Sequence, residues 1–201
     1  MATANPPSDP DPLKHEKAEL RRELRRRLLL RDPVAAARDS AALVLALADC
    51  LPPGPVLAYV PLAGEPALRP LLEELARAGR LLLPRVSADG LRIHPISRLE
   101  SLVSGRMGLW EPPPDWPEGA LGDLAAVVVP GLGFSLEGGR LGRGGGYYDR
   151  LLAALPTSTR RIAALFPEQL VEQLPEEAHD RRVELLLLPD RRIRVVPPGG
   201  R

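Results

Sequence analysis

The chain has 201 residues, 44% of them apolar, which is enough for one sizeable domain and too much for a disordered chain. Its 27 basic and 26 acidic residues leave a formal charge of +1, against binding nucleic acid or a membrane surface through bulk charge. Cys50 is the single cysteine, which excludes an intramolecular disulfide and fits a reducing compartment; with no apolar leader at the N-terminus, a cytoplasmic location is expected.

Residues 1–12 are rich in Pro, Asp and Ser, and read as a disordered tail ahead of one domain over 13–201. Leu20, Leu24 and Leu28 recur at i, i+4 spacing between charged residues and predict an amphipathic helix over 13–31. Pro33 breaks it, and an Ala/Leu-rich helix over 34–51 follows, closed by Pro52-Pro53-Gly54. Val56–Val60 reads as the first strand, residues 67–78 as a helix ending at Gly79, and Leu81–Leu83 and Leu91–Ile96 as strands. The span Glu111–Pro117 is Pro-rich and irregular. Ala125–Val129 is an unbroken apolar run, as expected of a central parallel strand covered on both faces. A Gly-rich stretch, a helix over 147–155, and strands at 161–166, 184–188 and 193–196 complete the chain. This alternation predicts a three-layer α/β/α sandwich on a mainly parallel, Rossmann-like open sheet.

The densest chemical signal is Pro130-Gly131-Leu132-Gly133-Phe134, followed by Arg140-Leu141-Gly142-Arg143-Gly144-Gly145-Gly146-Tyr147-Tyr148-Asp149. It starts at the carboxyl end of the most apolar strand, where open α/β sheets place ligands. Glycines at 142, 144, 145 and 146 let backbone N–H groups approach an anion, and the helix N-terminus beyond them adds partial positive charge. Arg140 and Arg143 supply forked donors suited to phosphate, and Asp149 a carboxylate for a Mg²⁺ that bridges phosphates. A nucleotide phosphate site follows, although the motif is neither a P-loop nor a dinucleotide fingerprint, and a plain Gly-rich surface loop with Asp149 at a helix end remains the simpler reading.

The order of these residues closely resembles the signature of the 5-formyltetrahydrofolate cyclo-ligases, also called 5,10-methenyltetrahydrofolate synthetases. The likeness is strong over 130–149 and weaker from Lys17 to Leu188. It implies a monomeric or weakly associated enzyme that uses ATP and Mg²⁺ to turn 5-formyltetrahydrofolate, with or without a polyglutamate tail, into 5,10-methenyltetrahydrofolate, ADP and phosphate. A divergent relative that binds ATP without acting on folate is the nearest alternative.

The resemblance assigns further residues. Lys17-Ala18-Glu19-Leu20-Arg21 matches a family helix whose Lys binds phosphate, and Lys17 and Arg21 share a helix face; the alternative is a solvated basic face. Arg22, Arg25 and Arg26 read as surface charges. An RNA- or phosphate-backbone-binding role for the same Arg-rich helix is opposed by the interleaved Glu16, Glu19 and Glu23 and by an aromatic content of 3%. Glu65, after Val60-Pro61-Leu62-Ala63-Gly64, matches the carboxylate that meets the folate, or simply caps the next helix. Tyr147 and Tyr148 fall where the family approaches the formyl group and nucleotide. Gly108-Leu109-Trp110-Glu111-Pro112 matches an element at which Trp110 walls the substrate, or a structural turn. The His179-Asp180 pair offers Asp180 as a second metal ligand beside Asp149. Gly145 stands where some members carry Lys, which leaves more of the phosphate charge to Lys17, Arg21 and Arg143. The resemblance thus implies Arg143, Lys17 and Tyr147 as the catalytic set.

Overall fold

A β-strand whose two faces are both covered must be apolar at every position, and five runs in this chain meet that condition: 56–60, 81–83, 125–129, 162–166 and 185–188. A computed structural model describes residues 12–105, 108–175 and 181–195 and shows these runs at the centre of a seven-stranded sheet. In chain order the helices are α1 (Pro12–Leu29), α2 (Pro33–Cys50), α3 (Arg69–Arg77) and α4 (Tyr147–Ala154). The strands are β1 (Val56–Leu57), β2 (Leu81–Val86), β3 (Leu91–Pro95), β4 (Val103–Ser104), β5 (Trp110–Glu111) and β6 (Ala126–Val128). They continue as β7 (Gly133–Phe134), β8 (Arg140–Leu141), β9 (Arg160–Ala164), β10 (Leu185–Leu187) and β11 (Arg192–Arg194).

The spatial order is β3-β2-β1-β6-β9-β10-β11. The five inner strands are parallel, while β3 and β11 return antiparallel at the two edges. Alternate residues divide the core. Val56, Leu81, Leu83, Ala126, Val128, Ile162, Leu185 and Leu187 face α1–α3, and Leu57, Leu82, Val127, Val129, Ala163, Leu186 and Leu188 face α4. The expected three-layer α/β/α sandwich is present.

Local chemistry explains the helix ends. Asp32 caps α2 by accepting from the Ala35 amide at 2.8 Å, and Pro33 is the first residue of α2 rather than the end of α1. Gly79, at φ +66°, takes the left-handed position after α3. α1 begins at Pro12, inside the stretch expected to be a tail; positions 1–11 lie outside the described residues. Cys50 is half-buried against the core layer of α1–α3 and stays a free thiol.

From β1 the chain moves through α3 to β2 on one side, and from β6 through α4 to β9 on the other. Right-handed crossovers running in opposite directions put α3 and α4 on opposite faces and open a crevice at the carboxyl ends of β1 and β6. Two short hairpins stand on this edge: β7/β8, built from the Gly-rich stretch, and β4/β5, which contacts β2. The Pro-rich segment after β5 runs beside β3, with the Gly119 amide donating to the Ile93 carbonyl at 2.8 Å.

Candidate functional site

The crevice brings together residues far apart in the chain. The loop after β1 folds back on itself, so that Glu65 accepts from the Leu62 amide at 2.9 Å and its side chain is only 4% exposed. Its other oxygen receives Arg143 from the Gly-rich segment, at 2.7 Å to Nη2 and 3.2 Å to Nε. The residue expected at the folate and the residue expected at phosphate therefore meet across the crevice. The simpler reading of Glu65 as a helix cap is not met: α3 has Leu68 at its N-cap with no side-chain cap bond, and the second Glu65 oxygen serves its own loop.

α1 forms the second wall. Arg21 donates through Nε to the Gly142 carbonyl at 2.9 Å, and Lys17, one turn earlier, is 9% exposed on the inward stripe with Leu24 and Leu28. Arg25, read from sequence as a surface charge, is exposed, and its Nη2 also reaches the Arg143 carbonyl at 3.4 Å. Its position was legible: Lys17, Arg21 and Arg25 continue one i, i+4 line. Arg22 and Arg26 do pair on the surface, with Glu19 and Glu23. Two arginines bound to Glu23 hold its carboxyl down at about 2.

The Gly-rich segment leaves hairpin β7/β8 at Leu141 and enters α4. Gly144 at φ +109° and Gly146 at φ +64° adopt left-handed backbone that side chains resist, and Gly146 starts α4 without a side-chain cap. The first-turn N–H groups of α4 therefore remain available at the crevice.

Arg140 differs from expectation. Its side chain is 5% exposed and spent on the Pro130 carbonyl, at 3.2 Å, and on an ion pair with Asp149. Buried and doubly engaged, it braces the hairpin against α4 rather than presenting a fork to phosphate. Asp149 has Arg140 as counter-ion, and the described residues contain no group of three or more His, Cys, Asp or Glu able to cage a metal. Asp180, the second expected metal ligand, lies outside the described residues, as does His179.

The two tyrosines separate. Tyr147 packs its ring where a side chain on Gly145 would stand, 2.8 Å from the ideal Cβ, under the Arg150 guanidinium at 5.2 Å. It lines a shallow depression of about 170 Å³ with Asp89, Arg92 and Leu121, not the Glu65–Arg143 crossing. Tyr147, expected at the reacting group, thus packs between Gly145 and Arg150. Tyr148 lies 5.9 Å from the Arg140 guanidinium, and its buried hydroxyl has no hydrogen-bond partner among the described residues. Burial, reinforced by the Glu65 charge and opposed by Arg140, pushes that phenol well above the ordinary tyrosine range. Tyr59, just beyond β1, is buried beside Glu65 and Tyr148 and shifted the same way, first by burial. Sequence reading passed over Tyr59, although a tyrosine at the carboxyl end of an apolar strand was the available signal.

Trp110 is 58% exposed on β5. Its neighbour Glu111 is the buried member, accepting from the Val86 amide at 3.3 Å and lying 3.5 Å from Arg85, so the Glu-Pro element anchors the ribbon to β2.

Residues 13–189 match the family described as the 5-formyltetrahydrofolate cyclo-ligase family. The chain belongs to the 5-formyltetrahydrofolate cyclo-ligase family. Among its relatives, the 5-formyltetrahydrofolate cyclo-ligase of Mycolicibacterium smegmatis is 38% identical over 146 residues, 69% of this chain and 75% of that one. The Escherichia coli K12 cyclo-ligase is 34% identical over 145 residues, 68% and 78% of the two chains. The 5,10-methenyltetrahydrofolate synthetase of Aquifex aeolicus superposes with a TM-score of 0.80 at 30% identity, covering 92% of this chain and 94% of the other. A Mycoplasma pneumoniae synthetase shares the cyclo-ligase fold at TM-score 0.70 and 19% identity, over 87% and 99%. The chain is thus a member of a family of enzymes, and among the described residues no helix is long and apolar enough to cross a membrane.

Proposed function

We propose that this chain uses ATP and Mg²⁺ to cyclise 5-formyltetrahydrofolate to 5,10-methenyltetrahydrofolate, releasing ADP and phosphate. The observation that carries this reading is the meeting of Glu65 and Arg143 at 2.7 Å across the crevice, in a chain of this family. A pterin offers neighbouring N–H donors, which a buried carboxylate accepts, and a triphosphate is met by a guanidinium beside glycine amides and a helix N-terminus. Arg21 and Arg25 hold carbonyls of the Gly-rich segment and Arg143 holds Glu65, which gathers cationic charge along one wall of the crevice.

The formyl oxygen is a poor leaving group as it stands. In the proposed course it attacks the γ-phosphorus and ADP departs, leaving the oxygen phosphorylated. N10 then bonds to the formyl carbon, its proton is lost, and phosphate departs with that oxygen. The protein's part is positioning and charge stabilisation. Arg143, Lys17 and the amides of Gly142–Gly146 hold the transferring group; Glu65 orients the pterin; Tyr148, whose buried hydroxyl has no hydrogen-bond partner among the described residues, supplies a neutral donor. Mg²⁺, which keeps several waters and takes few protein carboxylates, would neutralise phosphate charge, and Asp149 is the described residue that fits it. Arg140 fixes where that carboxylate stands.

Pairing of Arg22, Arg26 and Arg27 with Glu19 and Glu23 removes much of the basic face that an RNA-binding role would need. The test is incubation with ATP, Mg²⁺ and 5-formyltetrahydrofolate while near-UV absorbance is followed for the methenyl product. ATP-dependent product formation is expected; ATP binding with no product would replace this reading with that of a divergent nucleotide-binding relative.

A further inference from the structure

A buried amide side chain that satisfies two backbone groups on different segments of the chain fixes the spacing between them, because leaving either group unpaired is costly. Gln169 is such a residue. It is 1% exposed in the 3₁₀ turn Pro167–Gln169, just past β9. Its Oε1 accepts from the Phe166 amide at 2.8 Å, and its Nε2 donates to the Gly131 carbonyl at 2.7 Å. Gly131 stands at the root of hairpin β7/β8, and a Cβ there would come within 3.2 Å of Arg140 Cγ. On either side of it, Arg140 takes the Pro130 carbonyl and the Leu132 amide donates to the Leu141 carbonyl at 2.8 Å. A shift of the Gly131 carbonyl therefore reaches Arg140, Asp149 and the first turn of α4.

The same turn also holds the opposite wall. Arg31, just past α1, lies 4.2 Å from the Phe166 ring and ion-pairs with both Glu168 and Asp39. The turn thus ties α1 on one side and the hairpin on the other, and these are the two walls assigned to phosphate.

We propose that Gln169 is a positioning residue that sets the Gly-rich hairpin against α1 and so defines the width of the nucleotide phosphate site. This rests on the phosphate reading given above. Gln169 touches no substrate in this account; it acts through Gly131 and Arg140.

Two variants test it. Gln169→Glu keeps the acceptor for Phe166 but sets a carboxylate oxygen against the Gly131 carbonyl; Gln169→Met keeps the volume and removes the donor. Both should raise KM for ATP about tenfold while KM for 5-formyltetrahydrofolate stays within about twofold. Amide hydrogen exchange at Leu132 and along 141–146 should quicken in both, with β1 and β2 unchanged. Should Gln169→Glu fail to fold, Gln169→Met carries the same comparison. Parallel rises in both KM values, or a rise in KM for ATP without faster exchange in the hairpin, would overturn the positioning role. Wild-type protein that binds no ATP would overturn the phosphate reading itself, a failure visible without either variant.

Discussion

Glu65→Gln tests the crossing of the crevice most directly. The amide keeps the geometry of the carboxylate and an acceptor for the Leu62 N–H, but loses the charge that holds Arg143. That contact comprises two donor bonds, 2.7 and 3.2 Å, to a carboxylate 4% exposed from a guanidinium 38% exposed. Hydrogen bonds to charged groups contribute about 1.5–3 kcal/mol when desolvated and exposed ion pairs under about 1 kcal/mol; a half-exposed arginine places this pair near 1.5 kcal/mol. ATP must detach Arg143 from Glu65, so wild-type affinity is reduced by that amount, about tenfold. Gln retains one neutral bond, which leaves an expected tightening of ATP binding of about fivefold. Affinity for 5-formyltetrahydrofolate should fall about tenfold or more, because the same substitution weakens the acceptor offered to the pterin. Calorimetric titration with MgATP alone, then with folate alone, measures both. ATP affinity unchanged or weakened in Glu65→Gln would refute the idea that Arg143 is shared between a protein partner and the nucleotide.

Arg143→Ala should lower ATP-dependent formation of the methenyl product at least about a hundredfold, the scale of a lost charged contact in the transition state, as followed by steady-state absorbance; near-normal turnover would end the phosphate assignment. Lys17→Gln should raise KM for ATP, and an unchanged value would return Lys17 to a supporting role in α1. Tyr148→Phe removes a buried hydroxyl with no partner among the described residues, so thermal stability at neutral pH should change by less than about 1 kcal/mol while turnover falls. Its phenol is raised in the folded protein but ionises near 10 when unfolded, so wild-type stability is full below about pH 10 and declines as pH rises beyond it. Tyr148→Phe should flatten that decline, as read by denaturant titrations from pH 8 to about 11.

Much of this was readable in advance because the physics is local. Apolar runs of four or five residues, such as Ala125–Val129, can be little else than covered strands, and Gly79 or Pro52-Pro53 end helices through their own backbone limits. The glycines of 142–146 and the Lys17–Arg21 spacing likewise declare a close approach and a shared face. What sequence did not reveal depends on which of two neighbours wins a partner. Arg140 and Arg143 are alike in type and three residues apart. Arg140 is paired within hairpin β7/β8 and turns inward to Asp149, whereas Arg143 lies beyond the hairpin in the Gly-rich segment and reaches across to Glu65. Tyr147 and Tyr148 are separated by the helical 100° step, so only the orientation of α4 decides which meets the crevice. Gln169 carried no signal, because its role arises from two carbonyl-bearing segments that meet only after β6 and β9 pair.

The Pro-rich segment that follows β5 contributes no chemistry, yet it settles how far the sheet extends. An antiparallel edge strand offers its outer row of N–H and C=O groups to any other extended chain. At β3 the segment lies along that row: the Gly119 amide donates to the Ile93 carbonyl, while the side chains of His94, 3.0–3.1 Å from the Trp116 and Pro117 carbonyls, and of Arg92, paired with Glu118, hold the segment in place. Proline lacks the N–H needed to pass the ladder outward, so the cover cannot itself template an eighth strand. The opposite edge is three residues long, with arginine at both ends. Strand-on-strand aggregation is therefore resisted at both borders of the sheet.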